Sequence, residues 1–192
     1  NSQAAQGQVE SKAMLGYPQG LTLDLPLNRV LVADSGFDAV VAIDRTSGAT
    51  TLLSGATWGT GPARLFPVGI TLDGSRALVT DQSLSAVVAV DLASGDRTIL
   101  SDATTGTGPA LSVPSGVVLD SGRALVTEEN FDRVLAIDLT TGDRTILSDA
   151  STGSGPVFSR PFGITLDGIR ALVTDLALET VVAVDLTNCD RS

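Results

Sequence analysis

Glu128, Glu129 and Asn130 stand side by side in this chain of 192 residues. Two carboxylates and a carboxamide together can hold a cation or a polar ligand through oxygen. They form the one acidic cluster that departs from an otherwise regular pattern, whose equivalent residues are Asp81, Gln82 and Ser83. The competing role for such a triplet is a solvated loop. Cys189 is the single thiol, has no visible base beside it, and sits where related turns carry Gly48, Gly95 and Gly142. It reads as a turn residue, with Asn188 helping to accommodate the backbone.

The chain contains no histidine. That excludes Ser-His-Asp and Cys-His nucleophile systems, histidine-ligated zinc and a histidine general base. The recurring Asp-x-x-x-Gly-Asp segments, Asp91 to Asp96 and Asp138 to Asp143, resemble chelating loops but offer too few oxygens for calcium. An Asx-type turn with glycine at positive φ explains them. The Gly-x-Gly-Pro segments ending at Pro62, Pro109 and Pro156 precede no lysine and no helix N-terminus. They read as structural connectors rather than phosphate cradles.

The elements that must position these residues come from a repeat. Gly95–Ala103 and Gly142–Ala150 are identical, 47 residues apart, and Arg29, Arg76, Arg123 and Arg170 keep the same spacing. Such a period with strand-like segments signals stacked β units. Each unit parses into four short strands, A to D. Strand A is Gly-Ile-Thr-Leu-Asp (69–73, 163–167), and Asp-Gly turns lead from it into strand B, Arg-Ala-Leu-Val-Thr (76–80, 123–127, 170–174). Strand C is Val-Val-Ala-Val-Asp (87–91, 181–185), and strand D is Arg-Thr-Ile-Leu-Ser (144–148). Strand C is apolar on both faces, so something must cover each side of the sheet. The expectation is an all-β fold, a β-propeller of four four-stranded antiparallel blades with the last incomplete.

Residues 1–16 lie outside the repeat; the blades span 17–66, 67–113, 114–160 and 161–192. Ser192 falls where the last strand D should begin. Three arrangements follow: Val9–Leu15 seals a four-bladed ring, two chains form an eight-bladed ring, or the chain is a fragment of a longer propeller. The start shows neither the charged nor the apolar region of a signal peptide and lacks an initiator Met, so a processed or trimmed chain is expected.

The formal net charge is −10, and Lys12 is the only lysine. This balance argues against nucleic-acid partners and anionic membrane surfaces. No apolar run approaches the length of a membrane span. One cysteine permits no internal disulfide. The expected location is secreted or periplasmic.

Departures from the repeat mark candidate contact residues. The B–C and D–A connections of a propeller share one face. On it Phe37, Leu84, Phe131 and Leu178 recur and are expected to pack, while Gln82, Glu129 and Asn130 vary freely between copies. Trp58 replaces a threonine in the first D–A connector, Phe158 and Arg160 sit in the last, and Phe162 follows its proline. With Glu128, these are the candidate partner-binding residues. The Arg29, Arg76, Arg123 and Arg170 series is expected to pair with carboxylates between blades.

The recurring Pro-x-Gly-(Ile/Val)-x-Leu-Asp, Ala-Leu-Val-Thr-Asp and Val-x-Ala-(Val/Ile)-Asp resemble the NHL-type β-propeller superfamily, in the style of the gluconolactonase and senescence-marker group, over residues 17–192. The resemblance implies a propeller and, for lactonase-like members, a divalent metal held by Glu, Asn and Asp, one Asn following the proline. Here that slot holds Gln19, Val68, Ser115 or Phe162. Streptogramin-lyase relatives rely on a histidine, which this chain lacks.

The functional expectation is a non-enzymatic binding scaffold using the B–C and D–A face, with a protein or small-molecule partner and no cofactor. One alternative is a metal-dependent, lactonase-like hydrolase with channel calcium. Another is a structural module that self-associates through an unpaired blade edge. Near-uniform copies leave little room for one specialised site.

Overall fold

The computed structural model describes residues 15–63 and 66–192. The sealing strand expected over Val9–Leu15 therefore lies, but for Leu15, outside the described residues. Among the described residues, fifteen strands form four antiparallel sheets and there is no helix. The first blade is β1 (Pro18–Asp24), β2 (Arg29–Asp34), β3 (Ala39–Asp44) and β4 (Thr50–Ser54). The second is β5 (Pro67–Asp73), β6 (Arg76–Asp81), β7 (Ala86–Asp91) and β8 (Arg97–Ser101). The third is β9 (Pro114–Asp120), β10 (Arg123–Glu128), β11 (Arg133–Asp138) and β12 (Arg144–Ser148). The fourth is β13 (Pro161–Asp167), β14 (Arg170–Asp175) and β15 (Thr180–Asp185). Arg191 forms a single bridge to Val184 where its outer strand would lie. Each sheet is a meander with its first strand innermost, lining a shared channel. The chain folds as a β-propeller.

The doubly apolar strands find cover on both faces, as their composition requires. Leu31, Ala33, Val40 and Leu53 of the first blade pack with Ile70, Val79 and Val88 of the second. Leu78 and Val87 of the second pack with Val117, Val126 and Leu135 of the third. Leu125, Val134 and Phe158 pack with Val173, Val182 and Val184 of the fourth. Each buried Val or Leu contributes about 1.5–3 kcal/mol, so these three interblade cores carry much of the stability.

Polar groups join the blades at two levels. Near the channel a register shift between Pro67 and Ile70 turns the Gly69 N–H to the Thr80 hydroxyl at 2.7 Å. That hydroxyl donates onward to the Ser115 carbonyl of the third blade at 2.5 Å. Thr127 does the same to the Phe162 carbonyl of the fourth. At the outer rim, Arg144 is buried and donates to the Pro109 carbonyl (2.6 Å), the Ser101 hydroxyl (2.6 Å) and the Thr105 carbonyl (3.0 Å) of the preceding unit. Arg97 and Arg191 repeat this hook.

The interblade arginines are therefore the series opening strand D. The expectation for the other series needs correcting: Arg29, Arg76 and Arg123 pair with Asp24, Asp73 and Asp120 of their own A–B hairpins at 2.6–2.7 Å, and Arg170 pairs likewise with Asp167. Each arginine lies across a short hairpin from its carboxylate, so the local partner is met first.

The connectors also follow an unexpected path. Instead of crossing directly to the next inner strand, each first runs along the next blade's C–D turn. Asp143 accepts the Thr107 backbone N–H (2.6 Å) and hydroxyl (2.8 Å). A Cβ on Gly106 would stand 2.0 Å from the Gly142 carbonyl, and one on Gly108 would stand 2.0 Å from that of Arg144. The Gly-x-Gly spacing thus permits backbone-to-backbone docking. The C–D turns themselves are the expected Asx turns. Asp91 accepts from Ala93 and Ser94, with Gly95 at positive φ, and Cys189 takes the same positive φ in the fourth blade.

Candidate functional site: the loop face at the channel mouth

A buried acid at the end of each strand B organises this face. Asp34 accepts the N–H groups of Gly16, Tyr17, Gly36 and Phe37. Asp81 accepts those of Phe66 and Leu84, and Asp175 those of Ser159, Arg160, Ala177 and Leu178. One carboxylate thereby ties the end of a D–A connector to a B–C turn. Burial pushes the Asp175 carboxyl up, but its four backbone donors outweigh that and hold it below the usual range.

Glu128 fills this position in the third blade. It is fully buried and accepts the N–H groups of Ser112 (2.7 Å) and Val113 (3.0 Å). Arg133 pairs with it at 3.2 Å and lies 4.4 Å from the centre of the Phe131 ring. Burial dominates here and pushes the Glu128 carboxyl above its ordinary value, despite the two N–H donors and the guanidinium. The longer acid comes with an arginine where the other blades carry Ala39, Ala86 or Thr180.

Glu129 points into a different constellation. One oxygen accepts from the Ser115 hydroxyl at 2.5 Å and from Gln82 Nε2 at 3.3 Å; the other pairs with Arg160 Nε at 3.0 Å. Gln82 also donates to Ser115 at 3.2 Å. Gln82, Ser115, Glu129 and Arg160 therefore form one polar network that joins the second and third blades to the connector end entering the fourth, beside the channel. Arg160 keeps more than half of its side chain in solvent, so the network opens outward. Asn130 stands apart and donates to Ser112 of the adjoining connector at 2.9 Å.

The channel cavity, of about 160 Å³, is lined by the four inner strands, including Gln19, Val68, Ser115 and Phe162. The remaining candidates lie elsewhere. Trp58 is half-buried at the outer rim, its ring against Gly95 of the second blade, and its carbonyl accepts from Arg97. Phe158 is buried in the core between the third and fourth blades, 5.8 Å from Arg191. Of the eight candidates, the structure joins Gln82, Glu129 and Arg160, adds Phe162 at the channel beside them, and separates Trp58 and Phe158.

Sequence reasoning missed the surface around this network. Leu84 packs on a core as expected, but Phe37, Phe131 and Leu178 are exposed. With Tyr17, Phe66 and Leu176 they give the B–C turns and connector ends a set of exposed apolar side chains, called the apolar belt below. Tyr17, Phe66 and Arg160 all immediately precede the inner-strand proline, a spacing that could have revealed the belt.

A divalent cation in the channel, implied by the lactonase-like resemblance, finds little to hold it. Among the described residues, the lining contributes no carboxylate. Glu129, the carboxylate bonded to the lining residue Ser115, has its other oxygen neutralised by Arg160. Among the described residues, no three His, Cys, Asp or Glu side chains form a metal-ligating group. The residues present do not fit the metal.

No family model and no curated protein matches the chain. Solved structures do. A structure of a nidogen/laminin complex aligns at TM-score 0.61 with 20% identity, covering 92% of this chain and 79% of that one. A streptogramin B lyase aligns at TM-score 0.70 with 13% identity, covering 97% and 57%. The chain shares their propeller fold. The computationally designed Ika8 protein aligns at TM-score 0.61 with 13% identity, covering 96% and 51%. The propeller thus spans little more than half the length of the latter two. The NHL-type resemblance read from the blade motifs holds for the fold.

Proposed function

We propose that this propeller is a non-enzymatic scaffold whose loop face binds a protein partner. The apolar belt carries the proposal. Tyr17, Phe37, Phe66, Phe131, Leu176 and Leu178 are all exposed on one face of a chain that is only 4% aromatic. An exposed apolar cluster around a polar network is the composition of a recognition surface, with aromatic anchors supplying most of the binding energy. The Gln82–Ser115–Glu129–Arg160 network supplies orientation, with the Arg160 guanidinium available to an acidic group on the partner.

The hydrolase alternative requires a channel cation, and the neutral lining gives it no support. The belt proposal is tested by affinity capture from the secreted fraction of the source cells. The immobilised chain is compared with a Phe37→Ser, Phe66→Ser, Phe131→Ser variant of unchanged circular dichroism. A partner retained by the first and lost by the second is expected. Equal capture by both sinks the proposal.

A further inference from the structure

The fourth blade turns a complete docking face to solvent. Its Leu172, Val181 and Ala183 occupy the positions of Leu78, Val87 and Ala89 in the second blade and Leu125, Val134 and Ala136 in the third. Those two faces are covered by the blade that follows. Val87 and Val134 have no accessible surface, whereas Val181 is 56% exposed. The inner-strand contacts are vacant in the same way. The Thr80 and Thr127 hydroxyls reach a carbonyl of the next blade, while Thr174 is exposed and bonds only within its own sheet. A Cβ on Gly69 or Gly116 would stand 2.2–2.5 Å from the next blade's carbonyl; on Gly163 it would meet nothing but Thr174.

The first blade presents the matching half. Pro18-Gln19-Gly20-Leu21 repeats the Pro-x-Gly-Ile of Pro67–Ile70, the strand that the preceding blade receives. Leu21 is 68% exposed where Ile70 is 5% exposed. At the rim, however, the first blade has lost the hooks. Arg45, Ala49 and Thr50 replace the Leu92, Asp96 and Arg97 of the second blade. Those hooks grip the preceding blade's strand D and connector. The first blade can therefore meet a fourth blade through its inner strand without them.

We infer that the occupant is a second copy of this chain, each copy's first blade covering the other's fourth, to close a two-fold ring of eight blades. Within one chain the two faces are exposed together, so its own first blade does not fill the site. Two identical head-to-tail junctions related by a two-fold axis close the ring without leaving a free blade face. Because each copy carries a formal net charge of −10, added salt strengthens the pairing.

The test is solution mass by light scattering across protein concentration, on the chain itself, Val181→Glu and Leu21→Arg. Both substituted side chains are exposed in the single chain, so each variant should fold, which thermal melting checks. A concentration-dependent dimer is expected for the parent, with monomer for each variant alone. Mixing the two variants should restore a dimer, through one unaltered junction and one pairing glutamate with arginine. A parent that stays monomeric, grows into open-ended chains, or dimerises while the mixed variants do not, overturns the inference.

Discussion

Arg144 Nη1 donates to the Ser101 hydroxyl at 2.6 Å, joining the strand-D start of the third blade to the strand-D end of the second. The same hydroxyl donates to the Gly142 carbonyl at 2.6 Å, so one serine accepts from the arginine and holds the turn that precedes it. Removing Arg144 takes the side-chain donor from the Pro109 carbonyl and one of two hydrogen bonds from both the Ser101 hydroxyl and the Thr105 carbonyl. Arg144→Ala should cost about 3 kcal/mol, the scale of buried hydrogen bonds to a charged group. In a chain of this size that lowers the melting temperature by roughly 10 °C. A double-mutant cycle with Ser101→Ala should show coupling of about 1 kcal/mol or more, and additive losses would count against the hook.

Glu128 and Arg133 replace an Asp and an Ala or Thr of the other blades as a unit. Arg133→Ala should destabilise the chain by about 3 kcal/mol, because it leaves a buried carboxylate without its cation. Adding Glu128→Asp to that variant recreates the pair found at Asp81 and Ala86 and should recover at least half of the loss. Denaturant titration of the three proteins decides, and a double variant less stable than Arg133→Ala argues against the coupling.

The pH dependence has two opposite parts. Hydrogen bonds from Ser47 and Thr46 hold the exposed Asp44 carboxyl below 3.8, and those from Thr60 and Ser94 do the same for Asp96. Asp91, Asp138, Asp143, Asp185 and Asp190 are lowered likewise. Their stabilisation is present above 3.8 and is lost as pH falls through the folded values. Glu128 and Asp132 are raised by burial, so ionising them disfavours the fold. Their contribution is present at low pH and is lost as pH rises through their folded values. Denaturant midpoints should therefore rise slightly as pH falls towards the ordinary glutamate value of 4.5 and fall as pH drops below the ordinary aspartate value of 3.8. Glu128→Gln should flatten the first part and leave the second. A midpoint that falls steadily from pH 7 would contradict this assignment.

Gly116 and Gly163 occupy the same repeat position but different surroundings. Gly116→Ala places a Cβ 2.5 Å from the Phe162 carbonyl and should cost about 1–3 kcal/mol through overpacking. Gly163→Ala meets only the Thr174 hydroxyl of its own sheet, at 3.0 Å, which must give by a few tenths of an ångström, and should cost less than Gly116→Ala under monomeric conditions. At concentrations where the chain pairs, the same substitution should weaken the dimer. Equal losses at both positions in the monomer would show that the fourth blade is already covered.

The fold was legible because its period is long and strict. Arg76, Arg123 and Arg170 mark each strand B, and Asp-Gly or Ser-Gly turns mark the hairpins before it. What the repeat hides is which of two arginine series faces a neighbour. Arg76 and Arg97 both open strands, and only the three-dimensional path shows Asp73 close to the first and Ser54 close to the second. The connector route was illegible for a related reason. It rests on contacts such as Thr107 to Asp143, 36 residues apart, and on glycine backbone packing that leaves no side-chain signature. At the loop face, the variable residues Gln82, Glu129 and Arg160 were visible as departures from the repeat. The aromatic belt was not, because Phe37 and Phe131 recur in register and so resemble core residues. Phe158 shows the reverse, a departure from the repeat that fills the core.

The central claim, a scaffold rather than a metal-dependent hydrolase, is tested most directly by calorimetric titration of the chain with calcium. The neutral channel lining and the Glu129–Arg160 pair predict no saturable, stoichiometric heat into the millimolar range. A single site of micromolar affinity that disappears in Glu129→Gln would contradict the account and restore the hydrolase.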